Sequence, residues 1–228
     1  MKIKSNGDII KNMVISFYGE GCFKIQSGET VVLIDPPSPQ SGLTPPRFKF
    51  DVLLKTLASN EEIESGFSND ASDGFKIIGP GEYDIKDVII SGYGLANEST
   101  DKFIKTIYLL EIEGIKMCFL GHISETLATD VAEHLEEIDV LFIPAGGKPF
   151  IEQKMAVKLI KQTAPKIVVP SFFKISGLKR PSADLKIFLE EGGYLPAQAG
   201  KAEVQEKLTI KKKDLAEIKK TKVVSLKV

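Results

Sequence analysis

Short β-branched or aromatic runs open the chain. Residues 14–18, 22–25 and 31–34 are separated by Gly19-Glu20-Gly21 and Ser27-Gly28-Glu29, a spacing that predicts an antiparallel meander. Asp35-Pro36-Pro37 ends the third run, because proline donates no amide hydrogen and restricts the residue before it. A Pro/Ser/Gly-rich loop reaches Pro46, a strand follows at 51–54, and polar residues over 65–74, among them Asn69, Asp70 and Asp73, predict an exposed loop. Further strands are expected at 75–78, 83–85 and 88–91, the last entering a glycine turn at Gly92-Tyr93-Gly94. Runs 106–112 and 115–120, split by Glu113-Gly114, predict a hairpin.

From Thr129, a candidate N-cap, the period changes. Val131, Leu135 and Ile138 recur at helical spacing, and 139–143 returns to strand character. Ile151, Met155, Leu159 and Ile160 form a second amphipathic face, ended near Ala164-Pro165 and followed by a strand at 166–169. One more helix carries Leu185, Phe188 and Leu189 up to Gly192-Gly193, and strands at 208–210 and 223–228 close the chain. A strand-rich first half joined to a β-α-β-α-β second half predicts two packed sheets with helices outside. Without a repeat or a flexible linker, residues 1–228 read as one domain.

Composition narrows the function classes. With 43% hydrophobic and 27% charged residues, the chain of 228 can bury a sizeable core. Its 30 Lys plus Arg against 31 Asp plus Glu create no field that recruits polyanions, so nucleic acid is not an expected partner. The longest apolar runs, 31–34 and 140–145, fall far short of the roughly 20 residues of a spanning helix, so no membrane partner is expected. The start, 1–13, lacks the apolar segment of a secretion signal, which makes the cytoplasm the expected location. Cys22 and Cys118 lie in or beside apolar runs and read as buried free thiols. Eight lysines over 201–222 are interleaved with Glu203, Glu206, Asp214 and Glu217, the pattern of a solvated surface around a closing hairpin.

Several segments, in order, resemble the metallo-β-lactamase-fold hydrolases, in particular their UlaG-like or L-ascorbate-6-phosphate-lactonase-like branch. They are 18–25 with 31–36, then 81–85, 106–114, Leu120-Gly121-His122, 138–147 and 164–170. The resemblance implies an α/β fold, an αββα sandwich of two mixed β-sheets flanked by helices. It also implies one or two zinc ions, held by a His-x-His-x-Asp-His loop, further histidines and a bridging aspartate. Such an ion lowers the pKa of bound water from about 15.7 to about 7 and so supplies a hydroxide nucleophile.

This chain departs from that pattern. With Asp51 and Thr56 aligned, Leu57 and Ser59 stand at the first two histidines, Glu61 at the aspartate and Glu62 at the last histidine. His122 follows Gly121 where the family has an aspartate, Phe172 replaces a histidine after Pro170-Ser171, and 95–97 holds no histidine. Two histidines in the whole chain, His122 and His134, cannot supply four or five ligands. Losing the ion forfeits roughly nine pKa units, on the order of 12 kcal/mol toward hydroxide.

The leading expectation is therefore a relative without metal or other cofactor, non-catalytic, serving binding, assembly or regulation. Its vestigial site edge is Leu57, Ser59, Glu61, Glu62, His122 and Phe172. The alternative is a divergent metal-dependent hydrolase of a phosphorylated lactone or phosphodiester, with Glu61, Glu62 and His122 around an unusual ion. A homo-oligomer is a third possibility; the partner is otherwise undetermined. His134 reads as a helix-border residue, Asp35 as a turn-capping carboxylate and Gly146-Gly147 as a strand-to-helix turn. Ser59 and Ser171 have no histidine base near them in sequence, which leaves a serine-hydrolase reading unsupported. Leu57, Phe172 and Phe173 are candidates to fill the old cleft.

Overall fold

A computed structural model describes residues 12–64, 74–194 and 203–228. The expected polar loop at 65–73, residues 1–11 at the chain start and the first two residues of the lysine-rich stretch lie outside the described residues.

The opening meander forms from β1 (Met13–Phe17), β2 (Phe23–Ser27) and β3 (Thr30–Ile34), antiparallel neighbours in chain order. Alternate side chains of β1 and β2 are buried, as a sheet packed on one face requires. The chain turns out of β3 at Asp35-Pro36, and β4 (Val52–Lys55) lies parallel to β3. At Thr56 the chain leaves this sheet: β5 (Leu57–Ser59) pairs with a strand of the other sheet, and α1 (Asn60–Glu64) follows. β6 (Phe75–Ile78) lies beside β4.

β7 (Gly81–Ile85), β8 (Val88–Gly94), β9 (Phe103–Ile112) and β10 (Ile115–Phe119) form antiparallel neighbours. β8 runs straight through the expected glycine turn. Gly92 stays in the strand because it pairs with Gly81 of β7 and Tyr108 of β9, and a Cβ there would stand 2.9 Å from the Tyr108 ring. Glu113 and Gly114, both at positive φ, make the tight turn between β9 and β10.

In the second half, α2 (Thr129–Glu133) is shorter than its period suggests. Ala128 holds the cap position, so Thr129 is already helical, and Leu135 and Ile138 are buried beyond the helix end. β11 (Val140–Pro144), α3 (Gln153–Thr163) and β12 (Ile167–Ser171) follow, with β10, β11 and β12 parallel. Every residue of β11 and β12 is buried, as in central strands covered on both faces. α3 buries Ala156, Val157, Leu159 and Ile160 and stops at left-handed Ala164 before Pro165. α4 (Leu185–Gly192) is capped by the Asp184 carboxylate, which accepts from the Lys186 amide, and packs on α3.

β13 (Glu203–Gln205), β14 (Lys207–Ile210), α5 (Lys212–Ala216) and β15 (Lys222–Leu226) complete the chain. The expected closing hairpin does not form. β14 pairs with β1, whereas β15 lies parallel to β12 and β13, so α5 carries the chain from one sheet to the other. Two strands with buried faces and a helical connection can serve two separate sheets; a tight turn could not.

The sheets therefore run β14-β1-β2-β3-β4-β6 and β13-β15-β12-β11-β10-β9-β8-β7, with β5 against β9. Both are mixed, and together with the helices they form the αββα sandwich that the resemblance implies. Phe23 of one sheet meets Phe142 of the other at 4.7 Å between ring centroids, and Phe142 stacks on Phe119 at 4.0 Å. Among the described residues, no helix is long and apolar enough to cross a membrane.

Candidate functional site

The exits of β3, β4, β10 and β12 meet at one edge of the sandwich. Asp35, at the end of β3, takes a left-handed conformation (φ +41°) that turns its carboxylate inward. It is buried, and as a capping carboxylate it holds the β4 exit and not only its own turn before Pro36. Oδ1 accepts from the Thr56 amide at 2.7 Å, and Oδ2 lies 2.5 Å from the Thr56 hydroxyl. That hydroxyl in turn lies 2.7 Å from Nδ1 of His122. Three residues from three loops thus form one hydrogen-bonded chain.

Glycine makes the approach possible. At Gly121 (φ +54°) a Cβ would stand 2.1 Å from Oγ1 of Thr56, so only glycine lets the β10 exit close on the β4 exit. At Gly21 a Cβ would meet the Phe172 ring at 2.4 Å.

Phe172 fills the neighbouring space. It is 1% exposed, at a positive φ of 56° that is unusual for an aromatic residue. Its amide donates to the Glu20 carbonyl at 2.8 Å, and its own carbonyl accepts from Arg180 Nη2 at 3.1 Å, which fixes the backbone on both sides. The ring lies edge-on to His122 at 4.8 Å and 4.3 Å from Phe150. Arg180 covers Phe150 at 4.7 Å and makes a two-point pair with Glu20 at 3.3 and 3.2 Å.

The stretch aligned with the expected ligand loop forms a helix cap. The Ser59 hydroxyl accepts from the Glu62 amide at 3.2 Å, and the Ser59 amide donates to the Glu62 carboxylate at 2.9 Å. This reciprocal capping box starts α1 and ties up two of the positions where histidines are expected. Glu62 also pairs with Lys55, and against a partial desolvation that would raise it, this pair and the Ser59 bonds hold its carboxyl below the usual range. Glu61 is exposed on the first turn of α1, and Leu57 occupies β5.

A second ionic lock sits close by. Glu98 accepts from Ser124, through its amide at 2.6 Å and its hydroxyl at 2.5 Å, and from Lys105 at 2.9 Å. Burial alone would raise this carboxyl; the bonds from Ser124 and Lys105 hold it low instead. Lys55, Lys105 and Arg180 all bear on His122. Burial first, then those three charges, push its pKa down to about 3, so the imidazole is neutral at neutral pH. Asp35 moves the other way: burial pushes it up to about 6, against hydrogen bonds from Thr56 and the charge of Lys55.

The donor set does not fit a zinc centre. Leu57 and Phe172 offer no lone pair, Ser59 and Glu62 are spent on the cap, and Nδ1 of His122 faces Thr56. Among the described residues, no group of three or more His, Cys, Asp or Glu could hold a metal ion, so Glu61, Glu62 and His122 do not converge on one. Gly146 serves close packing: a Cβ there would lie 2.1 Å from the Phe172 carbonyl. His134 stacks on Tyr93 at 4.3 Å, and both cysteines are buried with thiols raised by that burial.

A cavity of about 850 Å³ opens beside the aromatic cluster, lined by Phe150, Arg180, Lys148, Met155, Thr126 and Pro181 among others. Thr56, Phe150 and Arg180 are absent from the sequence reading of the site. Arg180 is one of two arginines in the chain, a rarity that could have drawn attention to it. Thr56 carries no such signal.

The family profile described as "Beta-lactamase superfamily domain" matches residues 14–171. A protein from Thermotoga maritima, assigned as a Zn-dependent hydrolase of the metallo-β-lactamase superfamily, superposes with a TM-score of 0.72 at 25% identity. The match covers 94% of this chain and 98% of that one. A metallo hydrolase from the archaeon Ignicoccus hospitalis gives 0.61 at 16% identity, over 87% and 98% of the two chains. CmlA, a diiron β-hydroxylase from Streptomyces venezuelae, gives 0.57 at 14% identity, over 87% and 54%. No curated protein matches the sequence.

Proposed function

The chain belongs to the metallo-β-lactamase superfamily, and from that premise we propose that it is a member that works without a metal ion, as a binding or regulatory protein instead of a hydrolase. One observation carries this reading. The loop that would hold the ion is closed by the Ser59–Glu62 capping box, and the buried Phe172 ring stands where a further histidine is expected. Each change removes a donor and puts a stabilising interaction in its place. Hydroxide would then have to form without the roughly 12 kcal/mol that a bound ion supplies, and no side chain at this edge offsets that.

The binding role is supported by the cavity beside Phe150 and Arg180. Its volume of about 850 Å³ falls within the range of small-molecule sites, roughly 300–1,000 Å³. Pro149, Phe150, Ile151 and Met155 line it with apolar groups, and Lys148 and Arg180 are balanced there by Glu125 and Glu152.

Elemental analysis of protein purified without chelator tests the proposal. We expect well under a tenth of an equivalent of zinc, iron or manganese, and no change in melting temperature on adding EDTA. One equivalent of any of these metals, lost with EDTA along with stability, would overturn it.

A further inference from the structure

Oγ1 of Thr56 has a single hydrogen to place between two partners, and this constrains both. An ionised carboxylate only accepts, so when Asp35 is charged the hydroxyl donates to it. The same oxygen then accepts from His122, which must carry its proton on Nδ1. Nε2 is left as a bare lone pair. His122 is 23% exposed along its side chain, and its Nε2 is not among the buried polar atoms that lack a partner in the described residues.

Resting on the metal-free reading above, we propose that His122 is the recognition group of this edge. Its Nε2 accepts a hydrogen bond from an N–H or O–H of an uncharged ligand, and Asp35, acting through Thr56, is the positioning residue that holds the imidazole in that tautomer. The ligand class follows from the surroundings. Lys55, Lys105 and Arg180, whose charges act on the imidazole, are each paired with a carboxylate and leave no net charge for a charged ligand to meet, while the Phe150 and Phe172 rings beside it favour an apolar body.

The relay reverses when Asp35 gains a proton. A protonated carboxyl donates to Oγ1, the hydroxyl then donates to Nδ1, and the proton of the neutral imidazole moves to Nε2. The acceptor becomes a donor. Asp35 is raised to about 6 and His122 lowered to about 3, so between those values the imidazole changes tautomer without becoming charged. The groups facing Asp35 are Thr56, Lys55, Cys22 and Tyr108, and burial pushes the Cys22 and Tyr108 hydrogens up, away from this window. Those facing His122 are Lys55, Lys105 and Arg180, paired with Glu62, Glu98 and Glu20.

Two-bond ¹H–¹⁵N correlation spectra of the histidine rings read the tautomer directly, and a His134→Gln background leaves one histidine to assign. In EDTA-treated protein at about pH 8 we expect a protonated Nδ1 and an unprotonated Nε2. Lowering the wild type to about pH 4.5, or replacing Asp35 by Asn at about pH 8, should exchange the two, because an Asn amide donates to Oγ1 as a protonated carboxyl does.

Phenol and anisole, alike in shape but differing in the O–H, then probe recognition. At about pH 8 phenol should shift the Nε2 resonance at least about twice as far as anisole, and the two should be equal once the tautomer has reversed. A protonated Nε2 at about pH 8, a tautomer unmoved by pH, or equal responses to the two probes would overturn the inference. If Asp35→Asn does not fold, the wild-type titration still decides. Metal content is measured separately, so failure of the relay is distinguishable from discovery of a bound ion.

Discussion

Replacing Thr56 by valine keeps β-branching and nearly the same volume but removes the hydroxyl between Asp35 and His122. The Thr56 amide still donates to Oδ1 of Asp35; the 2.5 Å contact to Oδ2 and the 2.7 Å contact to His122 are lost. Thr56 is 1% exposed and the Asp35 side chain 6%, so water cannot readily take over either bond. A buried group left without its partner costs about 1–3 kcal/mol, more when charged. Taking the lower half of that range for His122 and the upper for Asp35, the loss comes to about 4 kcal/mol at pH 7.5. This is a large part of the roughly 5–15 kcal/mol that holds a domain folded. The carboxyl can reduce its share by keeping a proton, so the loss should shrink by about 1 kcal/mol or more near pH 5. Thr56→Ser, which retains the hydroxyl and drops one methyl group, should cost only about 1 kcal/mol. Urea unfolding of the three proteins at both pH values gives the numbers. A loss below about 1 kcal/mol for valine at pH 7.5, or equal losses for valine and serine, would refute the claim that the hydroxyl joins the two groups.

Other consequences follow from the same edge. Gly121→Ala combines a left-handed backbone with a Cβ 2.1 Å from Thr56, and we expect a loss of about 3 kcal/mol or more, or insoluble protein; a midpoint within about 0.5 kcal/mol of wild type would contradict the packing. Ser59→Ala breaks the capping box and should cost about 1 kcal/mol in urea unfolding without changing metal content, whereas a metal role for Ser59 would alter both.

The pH dependence of stability has two opposed parts. His122, lowered in the fold, contributes stability that is present above its unfolded pKa near 6.5 and is lost as pH falls toward 3. Asp35, raised in the fold, contributes stability that is present below its unfolded value near 3.8 and is lost as pH rises through 6. From pH 7 to pH 5 the histidine loses about 2 kcal/mol and the aspartate returns about 1, so the two groups partly offset each other in the wild type. Asp35→Asn removes the second part, and its stability should fall by about 2 kcal/mol over that interval; an unchanged difference from wild type between the two pH values would count against the pairing.

The strand and helix pattern was largely legible in the chain itself, because alternation in β1 and β2, unbroken apolar runs in β11 and β12, and the Ala164-Pro165 and Gly193 stops are local properties. Where it misled, the cause was tertiary. Gly92 is a strand residue because β7 and β9 pair with it on both sides, and β14 and β15 separate because each finds its buried face in a different sheet.

The candidate site divides in the same way. The scarcity of histidine, the leucine and serine at positions 57 and 59 and the phenylalanine at 172 follow from residue identity alone, and they carry the expectation of a chain without a histidine-rich metal loop. What occupies this edge depends on contacts between residues far apart in the chain. Thr56 acquires a role only because Gly121 lets β10 approach β4, and Arg180 only because Glu20 and the Phe172 carbonyl converge on it from other loops. Composition sets which atoms can donate or accept; the fold decides which of them come within 3 Å of one another, and the electrostatics of a buried cluster depends on that distance.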